Sequence, residues 1–337
     1  MNKHEVGIAF QTNKPINEYG PLARLVENYG FHGVTVYNDL LYQPCWLPLL
    51  EIARYTKKLR IGPASVNPFT SHPLNIAGNI ALIDECSYGR SYLGLARGAW
   101  LDYIGLEPKH AIRKLKDAMG CIRHLLEQKT DSYSSKHFPL KGGDSLRWKI
   151  TRSDIPFLLG SWGPETIKSC IGEISEIKLG GTANSDVVPW IKKQITEASL
   201  ESKIEASNIG IVLGCVSVVD NDGEKARNMA RKEVALYLPI VARLDPTLNI
   251  DLDLLRCIQK ATSKYNLKEA SEYIDDKLLE VFTLSGTPSE IVKQTLKLFN
   301  AGVNRVEFGT PHGLISGNDG LELLGKEVLP RLIERIS

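Results

Sequence analysis

A chain of 337 residues, 43% of them hydrophobic, can bury a sizeable core, and its length fits one elaborated barrel or two ordinary domains. The formal charge is only +2, from 41 basic and 39 acidic residues with no long run of either sign, which argues against a nucleic-acid partner. No stretch approaches the roughly 18 consecutive apolar residues of a membrane span, and the opening MNKHEVGIAF lacks the apolar core of a signal peptide, so a cytoplasmic protein working without a membrane is expected.

Short β-rich runs alternate with helical patterns from the first residues onward. VGIAF at 6–10, GVTVY at 33–37, LRIGPASV at 59–66 and SYLGLA at 91–96 read as strands. Amphipathic stretches from Pro21 to Tyr29, Leu47 to Thr56 and Leu74 to Cys86 read as crossover helices between them. The rhythm resumes with IPFLLG at 155–160, EIKLGG at 176–181, GIVLGCVSVV at 210–219 and NRVEFG at 304–309, eight strand candidates in all. Eight such units predict a closed parallel (β/α)8 barrel of the TIM type, in a single domain over 1–337. The competing open doubly wound sheet usually carries G-x-G-x-x-G after its first strand, and VGIAF is not followed by it.

Two segments exceed an ordinary connection, at about 128–154 and 237–284. Each is either a wall of the active-site mouth or peripheral decoration. Cys45, Cys86, Cys121, Cys170, Cys215 and Cys257 lie far apart, without a C-x-x-C pair or a histidine at metal-ligand spacing. They read as reduced thiols, mostly in the core, and no metal site is expected.

Barrel enzymes react at the C-terminal ends of their strands. Here those positions are polar and glycine-rich: Gln11 and Thr12, Asn38 and Asp39, Ser65 and Asn67, Arg97 and Gly98, Ser161 and Trp162, Gly181 and Thr182, then Thr310 to Gly313. In LLGSWGPETI an apolar strand ends at Gly160, and Gly163 and Pro164 open a helix. The amides of Ser161, Trp162 and Gly163 at that helix start either cradle a phosphate or form a plain Gly-Pro turn. KLGGTAN at 178–184 ends the next strand, and two adjacent late loops of this kind are where barrels bind phosphate. GPASVNPFTSHP bends the chain after the third strand, either as a rigid loop or as a rest for a flat ring. No Ser, His and Asp order suggests a nucleophilic triad.

Several of these runs, in this order, resemble one family. VGIAF, IGPASVNPFTSHP, GRSYLGLARG, LGSWGPETI, SGTPSEI and AGVNRVEFGTPHG are similar to the luciferase-like barrel enzymes, and among them to the coenzyme F420-dependent methylenetetrahydromethanopterin reductases. The resemblance implies a metal-free barrel that binds F420, a 5-deazaflavin with a ribityl phosphate and an acidic glutamyl tail. It implies a bulge after the third strand with a cis peptide between Ala64 and Ser65. Gly160, Ser161, Trp162, Gly163, Gly181 and Thr182 would hold the phosphate, and Asn38, Val66, Asn67, Ala96 and Arg97 would line the ring.

Reductases of this family carry an acid in the first strand where this chain has Ala9, and an Asp-His pair where it has Asn38 and Asp39. Asp39, Gln11 and Arg97 are therefore the candidate catalytic residues, with Arg97 either contacting substrate or coenzyme tail or forming a structural ion pair. The expected reaction is hydride transfer between the deazaflavin C5 and a carbon of a small organic substrate, a methylene-tetrahydropterin or a small alcohol. FMN is the alternative cofactor, in a monooxygenase or reductase, and a catalytically inactive deazaflavin-binding barrel is the non-enzymatic alternative. Family members commonly dimerise, so a homo-oligomer is expected, with the early proline-containing helices as its interface.

Overall fold

The structure is a computed structural model in which residues 4–315 and 317–336 are described. Nine strands occur in it: β1 (Glu5–Phe10), β2 (Gly33–Val36), β3 (Arg60–Pro63), β4 (Leu93–Ala96), β5 (Phe157–Gly160), β6 (Glu176–Gly180), β7 (Gly210–Val219), β8 (Thr283–Gly286) and β9 (Arg305–His312). Eight of them are the eight read from the sequence. They run parallel in the order β3-β2-β1-β9-β7-β6-β5-β4, and bridges from Ile61 to Ser91 and Val66 to Leu95 join the ends into a barrel. The ninth, β8, stands at the end of the second long segment, where no strand was expected: it pairs with the outer half of β7, Val216 to Val219, beyond the part of β7 that meets β6.

The helices α1 (Ile16–Tyr29), α2 (Trp46–Tyr55), α3 (Pro73–Cys86), α4 (Ala111–Leu126), α5 (Pro164–Cys170) and α6 (Val187–Ser202) return the chain between successive strands. After β7 come α7 (Gly223–Val234), α8 (Leu238–Leu244), α9 (Leu252–Thr262), α10 (Leu267–Glu272) and α11 (Asp276–Phe282), and α12 (Pro288–Ala301) leads from β8 to β9. Two last helices, α13 (Asn318–Leu323) and α14 (Leu329–Ile336), follow β9. No helix among the described residues is long and apolar enough to cross a membrane.

Local chemistry fixes several boundaries. Pro288 opens α12 behind a reciprocal cap, in which Thr287 N–H donates to Glu290 at 2.6 Å and Glu290 N–H donates to Thr287 Oγ1 at 3.4 Å. α1 begins at Ile16, earlier than expected, and carries Pro21 within its length. Gly20 beside it is dictated by packing, since a Cβ there would stand 2.5 Å from the Tyr55 ring of α2.

One apolar layer lies between the outer face of the barrel and its helices, including Ile8, Val34, Ile61, Leu93, Leu159, Ile177, Leu213 and Phe308. A second cluster, from Val218 through Ala230, Leu238 and Ile258 to Phe282, holds α7 to α11 together beside β8. Inside the barrel Tyr92, Leu158 and Val212 form a small apolar cluster of their own.

The two long segments go to different places. The one at 128–154 runs over the outside of α3 and α4: His137 Nδ1 meets Asp117 at 2.7 Å, Phe138 packs edge-on to His72, and Arg152 pairs with Asp84 at 3.0 Å. It is an external strap that approaches the C-terminal side near His72 and His110. The segment at 237–284 covers the mouth, where Val241 packs on Gly181 and the Val281 carbonyl accepts from Ala183 N–H at 2.8 Å.

Candidate active site

Alternate residues of each barrel strand face the axis, and most of those near the C-terminal ends are small. Gly160 on β5, Gly180 on β6, Gly214 on β7, Gly309 on β9, Ala9 on β1 and Ala96 on β4 occupy these positions. A Cβ at Gly180 would meet nothing within 4 Å, so open space stands where a side chain would fill a closed barrel. Around it Asn38, Asp39, Ala64, Ser65, Ala96, Gly160, Ser161, Trp162, Gly163 and Gly181 remain partly accessible, which places these sequence-predicted residues on one rim.

Gln11 and Asp39 come together as a pair. Gln11 Oε1 accepts from Thr12 N–H at 2.9 Å, which turns its NH2 group to donate to Asp39 Oδ2 at 2.8 Å. Burial holds the Asp39 carboxyl above the usual carboxylate range, against the Gln11 hydrogen bond and the charge of Lys178. Tyr237, which precedes α8, joins this side of the mouth with its ring 6.1 Å from that of Trp100, and burial together with the charge of Asp39 raises its phenol.

The bulge after β3 contains the cis peptide between Ala64 and Ser65 that the resemblance implies. Val66 then rejoins the barrel, donating to Gly94 O at 3.0 Å and accepting from Ala96 N–H at 3.0 Å. The residue is 2% exposed and its side chain packs in the core behind the mouth, which corrects the expectation that it lines a ring. Asn67 is likewise turned inward, its Oδ1 accepting from the amides of Phe69 and Thr70, both at 3.0 Å. Asn38 Oδ1 accepts from Cys45 N–H at 3.2 Å and so shapes the approach to α2.

The phosphate loop is partly self-satisfied. Ser161 N–H donates to Lys178 O at 3.3 Å, and Gly163 N–H donates to Ser161 Oγ at 3.1 Å. Of the three amides expected to cradle an anion, that of Trp162 takes no partner among the described residues. Thr182 is fully buried, accepts from Asn184 N–H at 3.0 Å and donates to Val281 O at 3.3 Å, so it ties the covering segment down rather than facing the mouth. Arg97 is exposed and forms no ion pair with any described residue, which removes the structural alternative for it.

A set of residues that strand periodicity did not single out lies beneath the mouth. Arg60 clamps Glu176 with bonds of 2.8 and 2.7 Å, Arg305 joins Glu176 at 2.7 Å and Glu307 at 3.1 Å, and Lys178 reaches Glu307 at 2.5 Å. Thr35 donates to Glu307 at 2.7 Å. Apart from the Arg305 to Glu307 bond within β9, these contacts cross between non-neighbouring strands, so the side chains fill the barrel axis. Burial works against ionising Glu307, but Lys178 and Arg305 outweigh it and hold the carboxyl at about 2. Arg305, Glu307, Glu176 and Lys178 alternate with apolar neighbours in NRVEFG and EIKLGG, the signal by which they were findable.

A model of the luciferase-like monooxygenase family matches residues 3–305. The chain is 29% identical over 359 residues to the 5,10-methylenetetrahydromethanopterin reductase of Methanopyrus kandleri, covering 99% of this chain and 100% of that protein. It is 26% identical to the 5,10-methylenetetrahydromethanopterin reductase of Archaeoglobus fulgidus, covering 97% and 99%. Among solved structures, the coenzyme F420-dependent tetrahydromethanopterin reductase of Methanopyrus kandleri superposes with a TM-score of 0.88 at 24% identity, covering 98% of this chain and 99% of that one. An F420-dependent secondary alcohol dehydrogenase in complex with an F420-acetone adduct superposes at 0.80 with 16% identity, covering 98% and 99%, a likeness of fold. The chain belongs to the luciferase-like monooxygenase family.

Proposed function

We propose that the chain is a coenzyme F420-dependent oxidoreductase that moves a hydride between the deazaflavin and a carbon of a small organic substrate, after the manner of the methylenetetrahydromethanopterin reductases. The observation that carries this reading is the open glycine and alanine layer at the top of the barrel, where a Cβ on Gly180 would meet nothing. The open space beside Gly180, with Ala9 and Ala96 carrying only methyl groups in the same layer, is where a flat ring would enter, so the residues present fit the coenzyme.

When bound, the deazaflavin supplies the hydride chemistry itself. The chain holds and orients. The backbone of Ala64 and Ser65, with Ala96 and Gly160 beside it, would hold the ring, Asn38 would stand at its edge, and the buried Val66 and Asn67 support that wall from behind. The Trp162 amide, with Ser161 and Gly163 around it and Gly181 on the adjoining loop, would hold the ribityl phosphate, while Thr182 fixes that loop from behind. Asp39, oriented by Gln11, exchanges a proton at the substrate heteroatom, and Arg97 meets an anionic group of substrate or coenzyme tail. The substrate is a methylene-tetrahydropterin or a small secondary alcohol.

Parallel titration with coenzyme F420 and FMN, following fluorescence and melting temperature, tests the cofactor. Greater stabilisation by F420 is expected, and greater stabilisation by FMN would overturn the reading. The protein works in the cytoplasm as a homodimer through α2 and α3. The six unpaired cysteines support the first point, and exposed Leu47, Leu74 and Leu82 on those helices the second. Sedimentation of the protein as a monomer at micromolar concentration would remove the dimer.

A further inference from the structure

Lys178 differs from the other charges inside the barrel. The two deeply buried carboxylates, Glu176 and Glu307, are already matched by the guanidiniums of Arg60 and Arg305. The remaining acid, Glu5, is the first residue of β1 and stands 3.9 Å from both guanidiniums, at the N-terminal end away from the mouth. Lys178 is the one cation of the set that meets a single carboxylate, Glu307, and it shares that carboxylate with Arg305.

Its ammonium has three hydrogens to donate, and Glu307 takes one of them; no other described residue accepts from it. The small void at the N-terminal end is lined by Glu5, Gly7, Arg60, Tyr92, Arg305 and Glu307, among others, but not by Lys178. Lys178 lies two residues before Gly180, on the same face of β6, so its ammonium stands below the open space at the mouth, with 8% of the side chain exposed. There the ammonium lies 5.4 Å from the centre of the Tyr37 ring, and a Cβ on Gly214 would stand 3.1 Å from Lys178 Cε. Glycine at 180 and 214 keeps clear the space that a ligand would share with this charge.

We propose that Lys178 is a fixed cation beneath the mouth that selects the anionic form of a flat heterocycle bound above it, a deazaflavin-type ring on the function proposed here. A pyrimidinedione ring that loses an N–H proton spreads the negative charge over its nitrogens and oxygens. A cation several ångströms away, in a site of low effective dielectric, shifts that ionisation by about one to two pH units. Glu307 fixes the height of the charge, and Tyr37 limits its approach. This is a positioning role, since the ammonium is held below the ring and transfers nothing.

The test compares the unsubstituted protein with K178M, K178R and the double variant K178M/E307Q, which leaves no orphaned carboxylate should K178M alone fail to fold. In the coenzyme-free protein, 13C NMR titration of the Asp39 carboxyl reads the field at the mouth, which Gln11, Tyr37 and Tyr237 also face. Its midpoint is expected to rise by roughly half a unit to one unit without the Lys178 charge, and to return in K178R. With F420 added, the pH at which the bound ring becomes anionic, followed by absorbance, is expected to rise by about one to two units in the methionine variants. Folded variants with both midpoints unmoved would overturn the role of Lys178. If F420 binds none of the proteins, the cofactor reading fails by itself and the Asp39 titration alone decides whether Lys178 charges the mouth.

Discussion

Ser65 and Gly160 meet across the mouth, from the bulge after β3 and the end of β5: a Cβ on Gly160 would stand 2.9 Å from Ser65 Oγ and 3.4 Å from the Ala96 methyl. The absence of a side chain at 160 is therefore what lets the bulge sit where it does. In G160A the Ser65 hydroxyl must turn out of its present position, beside the backbone proposed to support the ring. Coenzyme affinity is expected to fall by about tenfold, which corresponds to roughly 1.4 kcal/mol. In S65A/G160A the hydroxyl that collides is gone, and most of the affinity is expected to return. Fluorescence titration of both variants checks this, and a double variant as weak as the single one would mean that the Ser65 contact is not the cause.

The Gln11 to Asp39 bond connects β1 to the end of β2 and governs a carboxyl that burial holds above its ordinary range. Such a carboxyl binds its proton more tightly in the folded chain than in the unfolded one. Its contribution to stability is full below the unfolded carboxylate value, near 3.9, and is lost as pH rises through the folded one. At pH 7 Asp39 thus costs stability, and D39N is expected to melt about one or two degrees higher than the unsubstituted protein. The difference should close on acidification below about pH 4. Activity of D39N is expected to fall by about a hundredfold if the carboxyl exchanges a proton with substrate. Melting curves from pH 3 to 8 and turnover at pH 7 separate the two effects.

Arg97, exposed and unpaired at the end of β4, is available for a ligand at little cost to the fold. R97A is expected to keep its melting temperature within about one degree, as surface substitutions do. Its affinity for the coenzyme or the substrate should drop by about tenfold, since a charge-assisted hydrogen bond is lost. Unchanged affinity for both would leave Arg97 without a role in binding.

The eight barrel strands were legible because apolar, β-branched runs recur between helical patterns. The strand β8 was not, since TLSG is four residues between two helices and is held by pairing with the distant outer half of β7. The start of α1 was hidden by Pro21, a residue that ordinarily marks a helix boundary. At the site, Gln11, Asp39, Ser65 and Gly160 were legible as strand-end residues, but which of them meet and which amides remain free was not readable. Ser161 and Asn67 bond to their own loops, and such local bonds depend on side-chain rotamers that periodicity does not encode. Lys178 and Glu307 escaped for another reason: a charge on a strand reads as solvent-facing until closure of the barrel places its partner opposite.

His312, at the end of β9, is 3% exposed and stands edge-on to Phe10, with its Nε2 3.1 Å from Phe308 O. Burial lowers the imidazole to about 4, with the Phe308 carbonyl opposing the shift and the Lys14 charge adding to it. The folded chain therefore keeps this ring neutral where an unfolded chain would protonate it. Stability from His312 is complete above about pH 6.5 and is lost progressively as pH falls toward 4, by an amount on the order of 1–3 kcal/mol. H312N is the variant of choice, because the residue has φ of 74° and asparagine tolerates that region. It removes the titrating group, so the drop in melting temperature between pH 6.5 and 4.5 should be shallower than in the unsubstituted protein, whatever the cost of the substitution at pH 8. Parallel acid limbs in the two proteins would show that His312 does not set the acid sensitivity of this end of the barrel.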